Sequence, residues 1–127
     1  MPRSKKYRKV CCMPDSTLFG ALDHGSDNSK IITLSIEEYE SIRLIDLEEM
    51  TQEECAKHMK VARTTVQRIY IDARKKIAEH FVMGYLLKIE GGSYTICDED
   101  GLQEKCGRGC RKINRAAVLR SDKLGEN

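Results

Sequence analysis

Residues 51–81, TQEECAKHMKVARTTVQRIYIDARKKIAEHF, decide how this chain folds. Thr51 followed by Glu54 has the spacing of a capping box, in which an N-cap hydroxyl and a carboxylate three residues on satisfy each other's backbone donors. A short helix follows that carries Cys55, Ala56 and Met59 inward. Lys60-Val61-Ala62 breaks the period. From Arg63 to about Met83, Val66, Ile69, Tyr70, Ala73, Ile77, Ala78 and Phe81 recur at helical spacing, which predicts the longest helix of the chain, ended by Gly84. Two helices joined by a turn of three or four residues, the second apolar on one face and rich in Arg, Thr and Gln on the other, have the layout of a helix-turn-helix.

Working outward, Ser35 and Glu38 repeat the capping-box spacing and open a helix over about 36–48, with Ile36, Tyr39, Ile42, Leu44, Ile45 and Leu47 as its apolar stripe. Beyond Gly84, Leu86–Glu90 and Ser93–Cys97 flank Gly91-Gly92, a pair suited to the positive φ of a tight reversal, and this predicts a small β-hairpin. Residues 10–30 hold Pro14, Gly20, Gly25, Ser26, Asn28 and Ser29 and read as irregular. The expected fold is mainly α: a three-helix helix-turn-helix core, then a small β-hairpin and a Cys-containing tail. Its organisation is a basic arm and loop with a Cys pair over 1–30, the helical core over 31–84, and the hairpin and basic tail over 85–127.

The 127 residues suit one small domain, and a net charge of +2 conceals strong segregation. Residues 1–9 hold Arg3, Lys5, Lys6, Arg8 and Lys9 with no acid, whereas residues 35–54 hold eight acids against Arg43 alone. Residues 57–76 are again basic, with seven cations against Asp72, and residues 105–123 hold seven more against Asp122. Segregation of this kind lets one face approach a polyanion while another is repelled, with the acidic first helix turned away. No run approaches the 18 to 20 apolar residues of a membrane span, and the basic N-terminus lacks the apolar stretch of a signal peptide, so a cytoplasmic protein with no membrane partner is expected.

The partner chemistry follows from the long helix. With Val66 and Ile69 inward, Arg63, Thr64, Gln67 and Arg68 face outward, and these types match base edges: Arg suits guanine, Gln suits adenine, and the Thr methyl suits thymine. The helix N-terminus presents unpaired N–H groups to phosphate, with Lys60, Thr64 and Thr65 adding contacts. The arm carrying Arg3, Lys5 and Lys6 suits phosphate tracking or a minor groove.

The run over 51–81 resembles the promoter-reading C-terminal domain of sigma-70-type factors. The wider pattern of MPRSKKYRKVCCMP, LFG, LSIEEYESIRLIDLEEMTQEECA, VARTTVQRIY, ARKK and KIEGG is similar to a family of small predicted DNA-binding proteins of bacteria and archaea with an N-terminal basic Cys motif, over about residues 1–97. The resemblance implies a sigma-like helix-turn-helix and a regulatory role. It makes Arg63, Thr64, Gln67 and Arg68 the base readers and Thr65 a phosphate contact. Association of relatives with iron-molybdenum cofactor or iron-sulfur proteins hints at metal. The chain departs from the sigma pattern in having Ala62 where a Ser or Thr cap is usual and Lys60 where Gly or Asn is common, and no segment for binding core polymerase is visible.

Six cysteines in a reducing compartment read as buried thiols, metal ligands or redox sensors rather than a disulfide framework. Cys97, Cys106 and Cys110, with Cys11 or Cys12 as a fourth ligand, suit a tetrahedral zinc or iron-sulfur site, although the spacing is not that of paired two-residue knuckles. Metal ligation, a thiol redox switch and inert packing remain open alternatives, and Arg8 and Lys9 favour thiolate at Cys11 and Cys12. Cys55 lies on an apolar helix face and reads as core. No Cys has a recognisable His and carboxylate beside it, so no enzyme is expected. The sequence thus points to a sequence-specific DNA-binding transcriptional regulator, metal- or redox-responsive through its cysteines and acting as a homodimer because one helix reads few base pairs. The alternative is an adaptor that binds RNA polymerase or a metallocluster-assembly partner without reading DNA.

Overall fold

The computed structural model describes residues 7–23 and 27–96. In chain order the elements are β1 (Arg8–Val10), β2 (Leu18–Phe19), β3 (Asp27–Leu34), α1 (Ile36–Ile42), a π-helical turn (Arg43–Leu47), α2 (Gln52–Met59), α3 (Arg63–Met83), β4 (Tyr85–Ile89) and β5 (Tyr94–Ile96). The fold is therefore mixed α/β, which corrects the expectation of a mainly α chain. β2, the last residue of β1 and the first half of β3 fall in the stretch 10–30 that reads as irregular, where Gly, Ser and Asn precede the short apolar run Ile31–Leu34.

The hairpin expected after α3 does not form. β4 is the centre of a three-stranded sheet of order β2-β4-β3, antiparallel to β2 and parallel to β3, with Ile32 opposite Leu87 and Leu34 opposite Ile89. β5 pairs instead with β1, in parallel, placing Val10 opposite Ile96. Parallel neighbours require a long crossover, and the whole α1–α3 segment serves as the one between β3 and β4. Gly91 and Gly92 do take positive φ, at 77° and 109°, but they thread the chain past α1 rather than reverse it. Gly91 O accepts the Ile36 N–H at 2.9 Å, Ser93 N–H donates to Glu37 Oε1 at 3.0 Å, and a Cβ on Gly92 would overlap that same carboxylate oxygen.

Both capping boxes are present, Ser35 with Glu38 and Thr51 with Glu54. α1 does not continue as α-helix to residue 48. From Arg43 it widens by one residue, with Glu48 N–H bonded to Arg43 O, and Glu49 then turns in the left-handed region. Buried polar contacts accompany the widened turn. Glu40 is fully buried and accepts from Arg43 Nε at 2.8 Å and Nη2 at 3.0 Å, while its Oε2 also accepts the backbone N–H of Cys11 at 2.9 Å. Arg43 Nη1 reaches Glu48 at 3.5 Å, on the far side of the widened turn. Burial alone would pull the Arg43 guanidinium down, but the hydrogen bonds and charge of Glu40, helped by Cys11 and Glu48, hold it above its ordinary value.

Two apolar clusters flank this ion pair. Val10, Ile32, Leu34, Ile36, Ala73, Leu87 and Ile89 join the sheet to α1 and α3, and Leu44, Met50, Cys55, Ala56, Met59 and Val66 join α2 to the start of α3. Cys55 packs its Sγ 3.7 Å from Met59 Sδ. Burial pushes that thiol up to about 12, with Glu40 adding and Arg43 opposing, so it stays neutral as a core side chain. The expected apolar stripes are partly redrawn: Leu47 is 73% exposed and Phe81 83% exposed, while Glu40 and Ser41 take inward positions on α1.

Gly92→Ala forces a Cβ against Glu37 at a strained φ and lowers stability by about 2 kcal/mol or more, read as a fall in the urea midpoint. Arg43→Ala leaves the Glu40 carboxylate buried without its cation and costs about 3–5 kcal/mol, enough to lose cooperative unfolding at ambient temperature. An unchanged midpoint in either variant would contradict the packing described.

Candidate nucleic-acid interface

α2 ends in a turn built from its own backbone. Lys60 takes the left-handed conformation at φ 58° and ψ 45°, its N–H reaches Lys57 O, and Val61 N–H bonds Ala56 O at 3.0 Å. This pair of bonds is a Schellman closure, completed by Val61 packing on the cluster around Met59. A left-handed residue explains why Gly or Asn would suit position 60. Here the position holds an exposed cation instead.

α3 starts at Arg63, with Ala62 in the N-cap place and no side-chain cap. Its first turn therefore carries backbone N–H groups that no side chain of the cap position takes up. Val66, Ile69 and Ala73 are buried and fix the rotation of the helix. Arg63, Thr64, Gln67 and Arg68 are all exposed, and Thr65 is half-buried at the edge of the same turn. Periodicity extends this face: Thr64, Arg68, Ile71 and Lys75 follow at intervals of four, three and four residues and share one side of the helix, all four exposed. On the flank, Arg74 lies 5.5 Å from the centroid of the Tyr70 ring. Tyr70 donates its hydroxyl to Asp46 Oδ1 at 2.7 Å, pinning α3 to the π turn. Desolvation, then the bond and charge of Asp46, raise the Tyr70 hydroxyl above its ordinary value.

The acids of α1 do not form a solvated face. Glu37, Glu38 and Glu40 are all buried. Glu37 faces Arg8 at 3.4 Å, and Glu38 receives Lys76 Nζ at 2.7 Å. Arg8, Glu37, Glu38, Arg68, Asp72 and Lys76 line a polar cleft of about 310 Å³ between β1, α1 and α3. Lys9 is buried as well. Arg8 and Lys9 thus belong to the folded body, and Arg8 lines the same cleft as Arg68.

Sequence reasoning missed Arg8, Lys76 and the Glu40–Arg43 pair. The Glu–Arg spacing of three on the same side as Ile36 and Leu44 was the available signal. Arg3, Lys5 and Lys6 of the arm lie outside the described residues, as do Cys97, Cys106 and Cys110 of the expected metal site. Cys11 is buried and Cys12 half-buried, with their Sγ atoms 3.4 Å apart. Among the described residues no three His, Cys, Asp or Glu side chains converge as metal ligands, and no helix is long and apolar enough to cross a membrane.

Comparison with known proteins gives relatives along the full chain. UPF0251 protein DSY3441 of Desulfitobacterium hafniense is 54% identical over 127 residues, all of both chains. A UPF0251 protein of Halothermothrix orenii is 44% identical over 108 residues, 85% of this chain and 78% of its own. UPF0251 protein CT1277 of Chlorobaculum tepidum is 37% identical over 100 residues, 79% of this chain and 51% of its own. No solved structure matches. A family model described as "Protein of unknown function DUF134" matches residues 1–97, and the chain belongs to that family.

Proposed function

We propose that this chain is a sequence-specific DNA-binding transcriptional regulator, with α2 and α3 as a sigma-like helix-turn-helix whose second helix enters the major groove. The observation that carries the reading is the joint exposure of Arg63, Thr64, Gln67 and Arg68 on the first turns of α3, a helix with no side-chain cap. These side chains supply the donor and acceptor patterns that distinguish base pairs, and the open N-terminus suits a phosphate. Lys60 and Thr65 sit beside that terminus as phosphate contacts. The pairing of Glu37 with Arg8 and of Glu38 with Lys76 removes acidic charge that would otherwise oppose a polyanion near Arg68. Arg3, Lys5 and Lys6 precede β1 and extend the contact along the backbone or into a minor groove.

A homodimer completes the reading, since one helix reads few base pairs and two half-sites multiply the discrimination. The C-terminal end of α3 is the candidate interface, where Phe81, Val82 and Met83 are all more than half exposed.

Selection from random duplex DNA at near-physiological salt, with an Arg63→Ala, Gln67→Ala, Arg68→Ala triple variant alongside, tests the proposal. One recovered motif, lost in the variant with its thermal midpoint within a few degrees of the parent, is the expected result. Uniform, salt-sensitive recovery by both proteins would overturn sequence reading and favour an adaptor bound to RNA polymerase or a metallocluster-assembly partner. Lys60→Gly separates stability from binding: it relieves left-handed strain and raises stability by about 0.5–1 kcal/mol. The same change weakens binding to all sequences alike and reduces the salt slope by about one. An unchanged slope would remove Lys60 from the contact set.

A further inference from the structure

We propose that Cys11 and Cys12 are a reversible dithiol–disulfide pair, a two-electron modification site whose oxidation acts on the buried Glu40–Arg43 pair. The two Sγ atoms lie 3.4 Å apart, at van der Waals contact, directly after β1. Cys11 is buried and Cys12 half-buried, so the pair has one sulfur open to a small oxidant and one shielded as its resolving partner. The remaining described thiol, Cys55, sits in the other cluster against Met59 and has no sulfhydryl neighbour among the described residues.

The oxidant class is a hydroperoxide. The Cys12 thiolate attacks the terminal peroxide oxygen, the O–O bond breaks, an alcohol or water leaves, and Cys12 becomes a sulfenic acid. The Cys11 sulfur then attacks the Cys12 sulfur, the S–OH bond breaks, water leaves and the S–S bond forms. Overall two thiols and one hydroperoxide give a disulfide, an alcohol and water. Adjacent Cα atoms stand about 3.8 Å apart across a trans peptide, shorter than the separation disulfides ordinarily span, so the bond is strained and readily reduced by a dithiol.

The closed ring contains the Cys11–Cys12 peptide and turns the Cys11 backbone. That backbone donates its N–H to Glu40 Oε2, which also accepts from Arg43. Oxidation therefore pulls one of three donors away from a fully buried carboxylate.

The full-length reduced protein, given one equivalent of hydrogen peroxide, blocked with N-ethylmaleimide and digested with trypsin, tests the proposal. Cleavage after Lys9 and Lys30 releases residues 10–30, which hold Cys11 and Cys12 as their only cysteines. The expected product is this peptide without maleimide and two hydrogen atoms lighter than the dithiol, at a yield independent of protein concentration and reversed by dithiothreitol. A doubly alkylated peptide, or one joined to a peptide carrying Cys55, Cys97, Cys106 or Cys110, would overturn it. Amide exchange reads the second half: oxidation raises the Cys11 exchange rate about tenfold or more, as for loss of a hydrogen bond to a charged acceptor. An unchanged rate in the oxidised protein would overturn the link to Glu40.

Discussion

Everything in the fold converges on one buried carboxylate. Glu40 takes two hydrogen bonds from Arg43 and one from the backbone of Cys11, so a single side chain joins α1, the π turn and the end of β1. Buried ion pairs seldom stabilise more than an apolar pair of similar volume would. Their effect is selective, because any arrangement that buries one member alone is heavily penalised. Here Arg43 opens the widened turn that carries Glu48 to the same guanidinium, and the bond from the Cys11 backbone ties the end of β1 to α1. β1 in turn holds β5, and the two apolar clusters meet across this polar seam rather than merging into one core.

The same economy of charge governs the surface of α3. A run of eight acids on residues 35–54 reads as a repulsive face, yet Glu37, Glu38 and Glu40 all turn inward and take cations from β1, α3 and the π turn. Arg8 and Lys76 are taken up by those acids, and Arg63 and Arg68 are exposed at the start of α3. Net charge of a segment is therefore a poor guide to its field. What matters for a polyanion is which charges are exposed after internal pairing, and the first turns of α3 expose Arg63 and Arg68.

Helices were legible because their signals are local. Ser35–Glu38 and Thr51–Glu54 mark two starts, Gly84 marks a stop with φ 74°, and the 3.6-residue recurrence of Val66, Ile69 and Ala73 orients α3. Strand pairing was not legible, because partners lie far apart in sequence: Leu87 meets Ile32 and Ile96 meets Val10, while Gly91-Gly92 mimics a hairpin turn at the one place where a Cβ would meet Glu37. The exposure of Arg63, Thr64, Gln67 and Arg68 was readable for the same reason as the helices, since exposure on a helix follows from the phase of its buried residues. Arg8 and Lys76 were not, because nothing in the sequence reveals that β1 and α3 bring these cations to the acids of α1.

α3 belongs to both halves of the molecule. Val66 locks its first turns to α2, and Ala73 with Ile77 locks its middle to the sheet. Residues on its outer face, Arg63, Thr64, Gln67 and Arg68 among them, belong to neither cluster and can change without opening either. The uncapped start at Ala62 fits that division, for an N-cap side chain typically contributes about 1 kcal/mol and its omission leaves a helix terminus open to an anion from outside. The lost local stability is offset by the Schellman closure at Lys60–Val61 and by the packing of Val61 against α2, which position that terminus from behind rather than from in front.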